Sequence, residues 1–212
     1  MISLKGVGMM SKQVYISADY SAIDGDRDVV EALNKWGSDN QHKVDFIDMS
    51  KVASGSVSLD SDCRICDLKK EFNAQINASS AVIFVVGNKT ADRTAGSACK
   101  RADNAQALCS CTPYKQNTNG TKPCKVVSTF TLENSNNVGN INSYSYLRHE
   151  FEQAKLRNKP IIIVYNSTRK ETHWLPKYMS GYESVAVPFW KTNDFGIKVG
   201  DYYTVKKALG YE

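Results

Sequence analysis

Glu150 is the residue with the most chemical promise in this sequence. It sits in Tyr146-Leu147-Arg148-His149-Glu150-Phe151-Glu152, where Tyr144, Leu147, Phe151 and Ala154 recur at helical spacing and define a buried stripe. At about 100° per residue, Glu150 falls roughly 80° from the centre of that stripe and Arg148 a similar angle on the other side, while His149 points to solvent. A carboxylate at the margin of a buried face can reach a cleft while partly desolvated, which is where a tuned acid is useful. The plain alternative is a surface glutamate laying its aliphatic stem on the core. A second polar group, Ser17, Asp19 and Tyr20 with Asp24 and Asp26-Arg27-Asp28 behind it, follows the first strand signal. It reads either as a ligand mouth or as turn and cap chemistry, with Asp24 or Asp26 available as a helix N-cap.

The cysteines form a third group. Cys63 and Cys66 make C-x-x-C, Cys109 and Cys111 make C-x-C, and Cys99 and Cys124 flank the second pair. Two close pairs are weak candidates for a tetrahedral zinc site. A disulfide within the later segment, or six plain thiols, fits the spacing as well. The redox reading needs C-x-x-C directly after a first strand, and that is absent. Other sites are excluded by pattern: there is no phosphate-binding G-x-x-x-x-G-K-[ST], no G-x-S-x-G and no H-E-x-x-H. His42, His149 and His173 are too scattered for a histidine metal site, and His173 beside Trp174 reads as structural or exposed.

These residues need elements to hold them. Val14–Ala18 is a short strand signal; Val29, Val30, Leu33 and Trp36 then recur at helical spacing, and Gly37 can end that helix. Lys43–Asp48 reads as a second strand. Ile65, Leu68, Phe72 and Ile76 mark a second helix, and Ala81–Val86 is a continuous apolar run that fits a strand buried on both faces. From Ala91 to Ser143 periodicity fades. A structureless loop of that length is improbable in a compact domain, so this is an insertion with short structure of its own, Val126–Leu132 being a candidate strand. The Glu150 helix follows and ends at Asn158-Lys159-Pro160; Pro160–Tyr165 is a buried strand, Ser184–Phe189 a late strand and Tyr202–Leu209 a closing helix. Alternating strands and helices imply a parallel sheet covered on both faces. Ligands bind beyond the carboxyl ends of such strands, which points to Ala18–Asp26, Asp48–Ser58, Gly87–Thr90 and Asn166–Lys170. Asp26 and Asn88 are added on this ground to the candidate substrate-binding residues, and Arg148 of the Glu150 helix is placed with them.

With 42% hydrophobic and 23% charged residues in 212, the composition is that of a folded soluble protein. The net charge of +5 is spread along the chain with no basic arm, so no nucleic-acid partner is expected. No apolar run approaches the roughly 20 residues a bilayer needs, and Met1–Lys12 lacks the apolar core of a signal peptide. The expected location is the cytoplasm, with no membrane partner.

Taken together, Val14-Tyr15-Ile16-Ser17-Ala18-Asp19-Tyr20 followed by D-x-D-R-D and a helix resembles the opening of TIR-like domains. Tyr146–Glu152, running into Lys159-Pro160-Ile161-Ile162-Ile163, resembles the aromatic-x-Arg-x-Glu helix and next strand of the TIR-like proteins in bacterial Thoeris anti-phage systems. Leu68–Asn88 matches too, and the likeness covers most of residues 12–90 and 144–210. The resemblance implies a single domain over 12–212, interrupted by the insertion 91–143, with a flavodoxin-like five-stranded sheet in the order 2-1-3-4-5. It implies cleavage of the nicotinamide–ribose bond of NAD+ as substrate, no separate cofactor, a nucleotide signal as product and assembly into a homo-oligomer. The family's catalytic glutamate maps onto Glu150, and Ser17, Asp19 and Tyr20 onto the pocket rim. Two other readings share the outline: a non-enzymatic TIR-like interaction module, and an enzyme like the nucleoside deoxyribosyltransferases, which carry a glutamate on a helix in a similar sheet.

Overall fold

A computed structural model of the chain describes residues 12–21, 23–38, 44–48, 61–93, 108–109, 116–117, 120–123 and 145–210. Five strands form one all-parallel sheet: β1 (Lys12–Ser17), β2 (Val44–Asp48), β3 (Ala81–Val86), β4 (Ile161–Tyr165) and β5 (Val187–Pro188). Their order is β2-β1-β3-β4-β5, the flavodoxin-like 2-1-3-4-5 arrangement. Val14 pairs with Phe46 on one side, Ile16 with Ile83 on the other, and Val85 with Val164 beyond. The helices are α1 (Arg27–Gly37), α2 (Ser61–Ala78), α3 (Tyr146–Leu156) and α4 (Tyr202–Ala208).

Side chains alternate across a strand, and this splits the core in two. Val14, Ile16, Ile83 and Val85 pack with Val29, Val30 and Leu33 of α1 and Val205 of α4. Tyr15, Val82, Phe84 and Val86 face the other way, onto Phe72 and Ile76 of α2 and Phe151 and Ala154 of α3. All six residues of β3 are buried, as expected for a strand covered on both faces. The late strand is shorter than the expected Ser184–Phe189 and holds two residues, after which β6 (Trp190–Thr192) and β7 (Lys198–Gly200) form an antiparallel hairpin.

Within the insertion, Leu108–Cys109, Gln116–Asn117 and Gly120–Pro123 form a small antiparallel sheet. Its first residues belong to the main body: Thr90–Asp92 is one turn of 3-10 helix, and Arg93 pairs with Asp19 and Asp24. The expected strand Val126–Leu132, the loop 49–58 and Tyr144 of the expected stripe lie outside the described residues. So do Cys99, Cys111 and Cys124. Cys63 and Cys66 fall within α2 and Cys109 within a short strand. Among the described residues, no three His, Cys, Asp or Glu side chains group as metal ligands. None of the described helices is long and apolar enough to cross a membrane.

Candidate active site

Tyr15 and Ser17 are two apart on β1 and therefore share a face, the one covered by α3. Ser145 caps that helix by accepting from the Arg148 backbone N–H at 3.0 Å. The helix then runs with Leu147, His149, Glu150, Phe151, Gln153 and Ala154 all buried. On a helical wheel these span an arc of about 200°, far wider than a single apolar stripe, and Glu150 sits at its centre. The expectation of a marginal Glu150 is corrected accordingly: the residue is 4% exposed. The expectation that His149 points to solvent is corrected too, since His149 is fully buried.

The physical reason is a second packing partner. α3 lies on the sheet and also against α2, and polar side chains fill the helix–helix seam. His149 Nε2 is 2.8 Å from Asn73 Oδ1, and one turn on Gln153 Nε2 donates to Asn77 Oδ1 at 2.8 Å. A buried polar group is tolerated when it is bonded in this way. Hydrophobic periodicity is blind to such a seam. The matched spacing, His149 and Gln153 against Asn73 and Asn77, is the signal that could have found it. Burial, and then the charge of the buried Lys69 on α2, holds the His149 imidazole down to about 3, so it is neutral at pH 7.

Glu150 projects from α3 onto the carboxyl end of β1. The Tyr15 hydroxyl donates to its Oε1 at 2.5 Å, and the Ser17 hydroxyl donates to its Oε2. Burial pushes the Glu150 carboxyl up to about 7, against the downward pull of the Ser17 and Tyr15 hydrogen bonds and the Lys69 charge. Desolvation thus outweighs two hydroxyl donors and a cation. In turn, burial and then the Glu150 charge raise the Tyr15 phenol well above its ordinary value, so Tyr15 remains a donor. The pairing of Tyr15 with Glu150 was not foreseen; its two-residue offset from Ser17 was the available clue.

A cavity of about 670 Å³ opens at the N-terminal end of α3. Ser145 and Arg148 of α3, Arg93, and Lys177 and Tyr178 from the segment after β4 line it. Glu150 follows two residues after Arg148 and is not itself among the described lining residues. The Arg148 guanidinium lies 5.8 Å from the Tyr178 ring centroid, and the Tyr178 ring is 5.8 Å from that of Phe151. The exposed His173 is at the cavity wall beside Trp174.

The other candidates gather elsewhere along the same edge. Asp19 is occupied by Arg93 at 2.6 Å and by the Ser21 backbone N–H at 3.0 Å. Arg93 bridges Asp19 to Asp24, a role its sequence context did not reveal. Tyr20 packs on the α1 side of the sheet, its hydroxyl 3.4 Å from the Ile16 carbonyl. Asp26 stands at the N-cap position of α1 but makes no side-chain cap bond. Instead its carboxylate accepts from Asn166 Nδ2 at 3.0 Å and lies against Gly87, where any Cβ would collide with it. Burial is the main cause that raises the Asp26 carboxyl to about 6, opposed first by the Asn166 bond. Asn88 is exposed in the turn after β3. The carboxyl ends of β1, β3 and β4 therefore converge as the topology requires, but of these candidates only Ser17 bonds Glu150. No family model matches this chain, and neither a curated protein nor a solved structure matches it.

Proposed function

We propose that the protein is a TIR-like NAD+ glycohydrolase or ADP-ribosyl cyclase that makes a nucleotide signal in bacterial anti-phage defence, in the cytoplasm, with Glu150 as its catalytic residue. One observation carries this reading. A desolvated carboxylate is held at the carboxyl end of the first strand by two exchangeable hydroxyl donors, on a helix whose N-terminal turn lines a cavity of nucleotide size.

The chemistry needs little else. Nicotinamide leaves a cationic ring as a neutral base, so no acid has to protonate it. What requires stabilisation is positive charge developing on the ribose, and one carboxylate in a dry pocket supplies that. Ordinary glycosidases use two carboxyl groups because their leaving group must be protonated. In this mechanism the ribose hydroxyls take over from Ser17 and Tyr15 as donors to Glu150. Attack by water then gives ADP-ribose, and attack by the adenine of the same molecule gives a cyclic isomer. Only the ionised carboxylate stabilises the cation, so turnover rises with pH through about 7.

The near-complete burial of Glu150 also favours a second reading, a non-enzymatic TIR-like module in which Tyr15, Ser17 and Glu150 brace α3 on the sheet. Mass spectrometry of NAD+ incubated with wild type and Glu150→Gln, at concentrations that permit assembly, separates the two. The enzyme converts NAD+ and the variant does not. Equal rates for both proteins, or no conversion by either, overturn the enzymatic reading. A nucleoside arm in the same assay would expose a deoxyribosyltransferase-like activity.

A further inference from the structure

Glu150 is shut in. It is 4% exposed and its two donors, Tyr15 and Ser17, are fully buried, so no substrate reaches it unless some element moves. The sheet order says where the way in lies. β2 stands on one side of β1 and β3 on the other. From β1 the chain goes on to α1 on one face, and from β3, by way of the insertion, to α3 on the opposite face. The crevice between two connections that diverge in this way is where ligands enter an open parallel sheet.

One side chain crosses that crevice. Arg93 follows the 3-10 turn Thr90–Asp92, which is fastened to the end of β3: the Thr90 hydroxyl accepts from the Gly87 N–H at 2.8 Å, and the Thr90 N–H donates to the Gly87 carbonyl at 3.2 Å. From this anchor Arg93 Nε donates to Asp19 Oδ2 at 2.6 Å and Nη2 donates to Asp24 Oδ1. Both acceptors lie in the loop after β1, and Asp19 is two residues beyond Ser17, the donor to Glu150. That loop is wound tight without Arg93. The Asp26 N–H donates to the Asp19 carbonyl at 2.7 Å, and the Ser21 N–H to Asp19 Oδ1 at 3.0 Å. What the guanidinium adds is the link across the crevice. It is also the weakest boundary of the enclosure. β1 and α3 are fixed by an apolar core and α3 by its seam with α2, whereas the Arg93 and Asp24 side chains are 36% and 42% exposed. Ion pairs so exposed are screened by salt and open at little cost.

We propose that Arg93 is a strap that closes the crevice between β1 and β3 over Ser17 and Glu150, and that its release from Asp19 and Asp24 admits the substrate. The proposal rests on the glycohydrolase reading for the identity of that substrate, but not for the closure itself. Arg93 gates the site and takes no part in bond cleavage.

Ser17→Cys in the full chain puts a reporter thiol inside the enclosure. Its alkylation by iodoacetamide, located by peptide mass spectrometry, should be roughly fivefold faster once Arg93→Gln is added, the scale of an exposed ion-pair network. Arg93→Lys should restore part of the protection. Raising NaCl from about 50 mM to about 500 mM should speed alkylation in Ser17→Cys alone and leave it unchanged where Arg93→Gln is also present, because only the former has a pair to screen. Hydrogen exchange of the Ser17–Ser21 amides in chains that keep Ser17 should quicken in Arg93→Gln as well, which decides the matter if Ser17→Cys does not fold. With Ser17 intact, Arg93→Gln should raise NAD+ turnover severalfold and leave the pH of its rise in place. Equal alkylation with and without Arg93, or a salt response that survives Arg93→Gln, overturns the strap. So does slower turnover by Arg93→Gln, the result expected of a merely structural contact. Faster alkylation with no NAD+ conversion by either protein leaves the strap standing and retires the glycohydrolase. Equal alkylation with NAD+ converted at the same rate by both does the reverse.

Discussion

Asp26 and Glu150 are two buried carboxyls at the same edge of one sheet, on opposite faces of it. Both are at most 4% exposed, and desolvation lifts both, to about 6 and about 7. What separates them is the company they keep. Asp26 accepts from the Asn166 amide, and Asn166 in turn bonds Asp28 and the Trp190 indole. That network ties the end of β4 to the start of α1 and leaves no space on the Gly87 side. Glu150 is held by hydroxyls, which rotate and exchange partners. A perturbed carboxyl is therefore a poor guide to chemistry by itself. The donors around it matter more: a fixed amide network fastens one carboxyl, and exchangeable hydroxyls hold the other.

The largest expected effect breaks this comparison most directly. Glu150→Gln should lower NAD+ turnover by on the order of 10³, the scale of losing one preorganised electrostatic contact to a transition state. Asp26→Asn should lower it only a fewfold, through looser docking of α1. Initial rates of NAD+ loss for the two variants side by side check this. Equal losses would place both carboxyls on the substrate and erase the distinction.

Stability should show the opposite pattern, with the two residues behaving alike. Each has a folded pKa raised above its unfolded value. Each therefore contributes stability that is fully present below the unfolded pKa and is lost as pH rises through the folded one. The windows run from 3.8 to about 6 for Asp26 and from 4.5 to about 7 for Glu150. Above them the ionised carboxylates cost up to about 3 kcal/mol each. Urea melts should show Glu150→Gln more stable than wild type at pH 8 and equal to it at pH 4. A catalytic group that is a liability to the fold is expected when function and stability compete. A less stable Glu150→Gln at pH 8 would mean that the Tyr15 and Ser17 bonds outweigh desolvation.

Ser17→Ala sharpens the comparison further. It removes one donor to the carboxylate, and that donor lowers the Glu150 pKa. The rise of turnover with pH should move to higher pH, with a plateau reduced a fewfold. The matching deletion on the other face, Asn166→Ala, should leave the pH profile in place and lower the melting temperature. pH–rate profiles of the two variants distinguish a donor that tunes a reacting group from one that fastens an element.

How much of this was legible follows from the same physics. The sheet could be read because β3 and β4 are apolar runs whose meaning does not depend on context, and because helices separate them in order. Asn158, with φ at +50°, ended α3 where its sequence signal placed it. The site was half legible. The spacing singles out Glu150 and Ser17, which do bond each other, but not Tyr15, and it puts His149 on the wrong side. The error has one cause. Hydrophobic spacing marks the face of α3 that meets the sheet, whereas the face that meets α2 is buried through hydrogen bonds between side chains far apart in sequence. Asp26 takes the N-cap position its sequence context offers, but its side chain bonds elsewhere for a related reason. Its position at the start of α1 is the cap position, but its partners, Gly87 and Asn166, arrive from the ends of β3 and β4.

The smallest effect tests that seam. Asn73→Ala removes the acceptor facing His149 Nε2 without touching Glu150 or the cavity. His149 is neutral at pH 7 because burial and Lys69 hold it down to about 3, so the lost bond is one between neutral groups. Such a loss in a buried place costs about 1–3 kcal/mol. Two consequences separate a brace from a catalytic contact. The destabilisation should be the same at pH 6 and pH 8, because no group at the seam titrates between them. The pH at which turnover rises should also stay where Glu150 puts it, because Tyr15, Ser17 and Lys69 still surround that carboxyl. If Asn73→Ala instead shifts the rise, α3 has rotated and the carboxyl has changed its donors. The polar seam would then set the chemistry of Glu150 as well as its position.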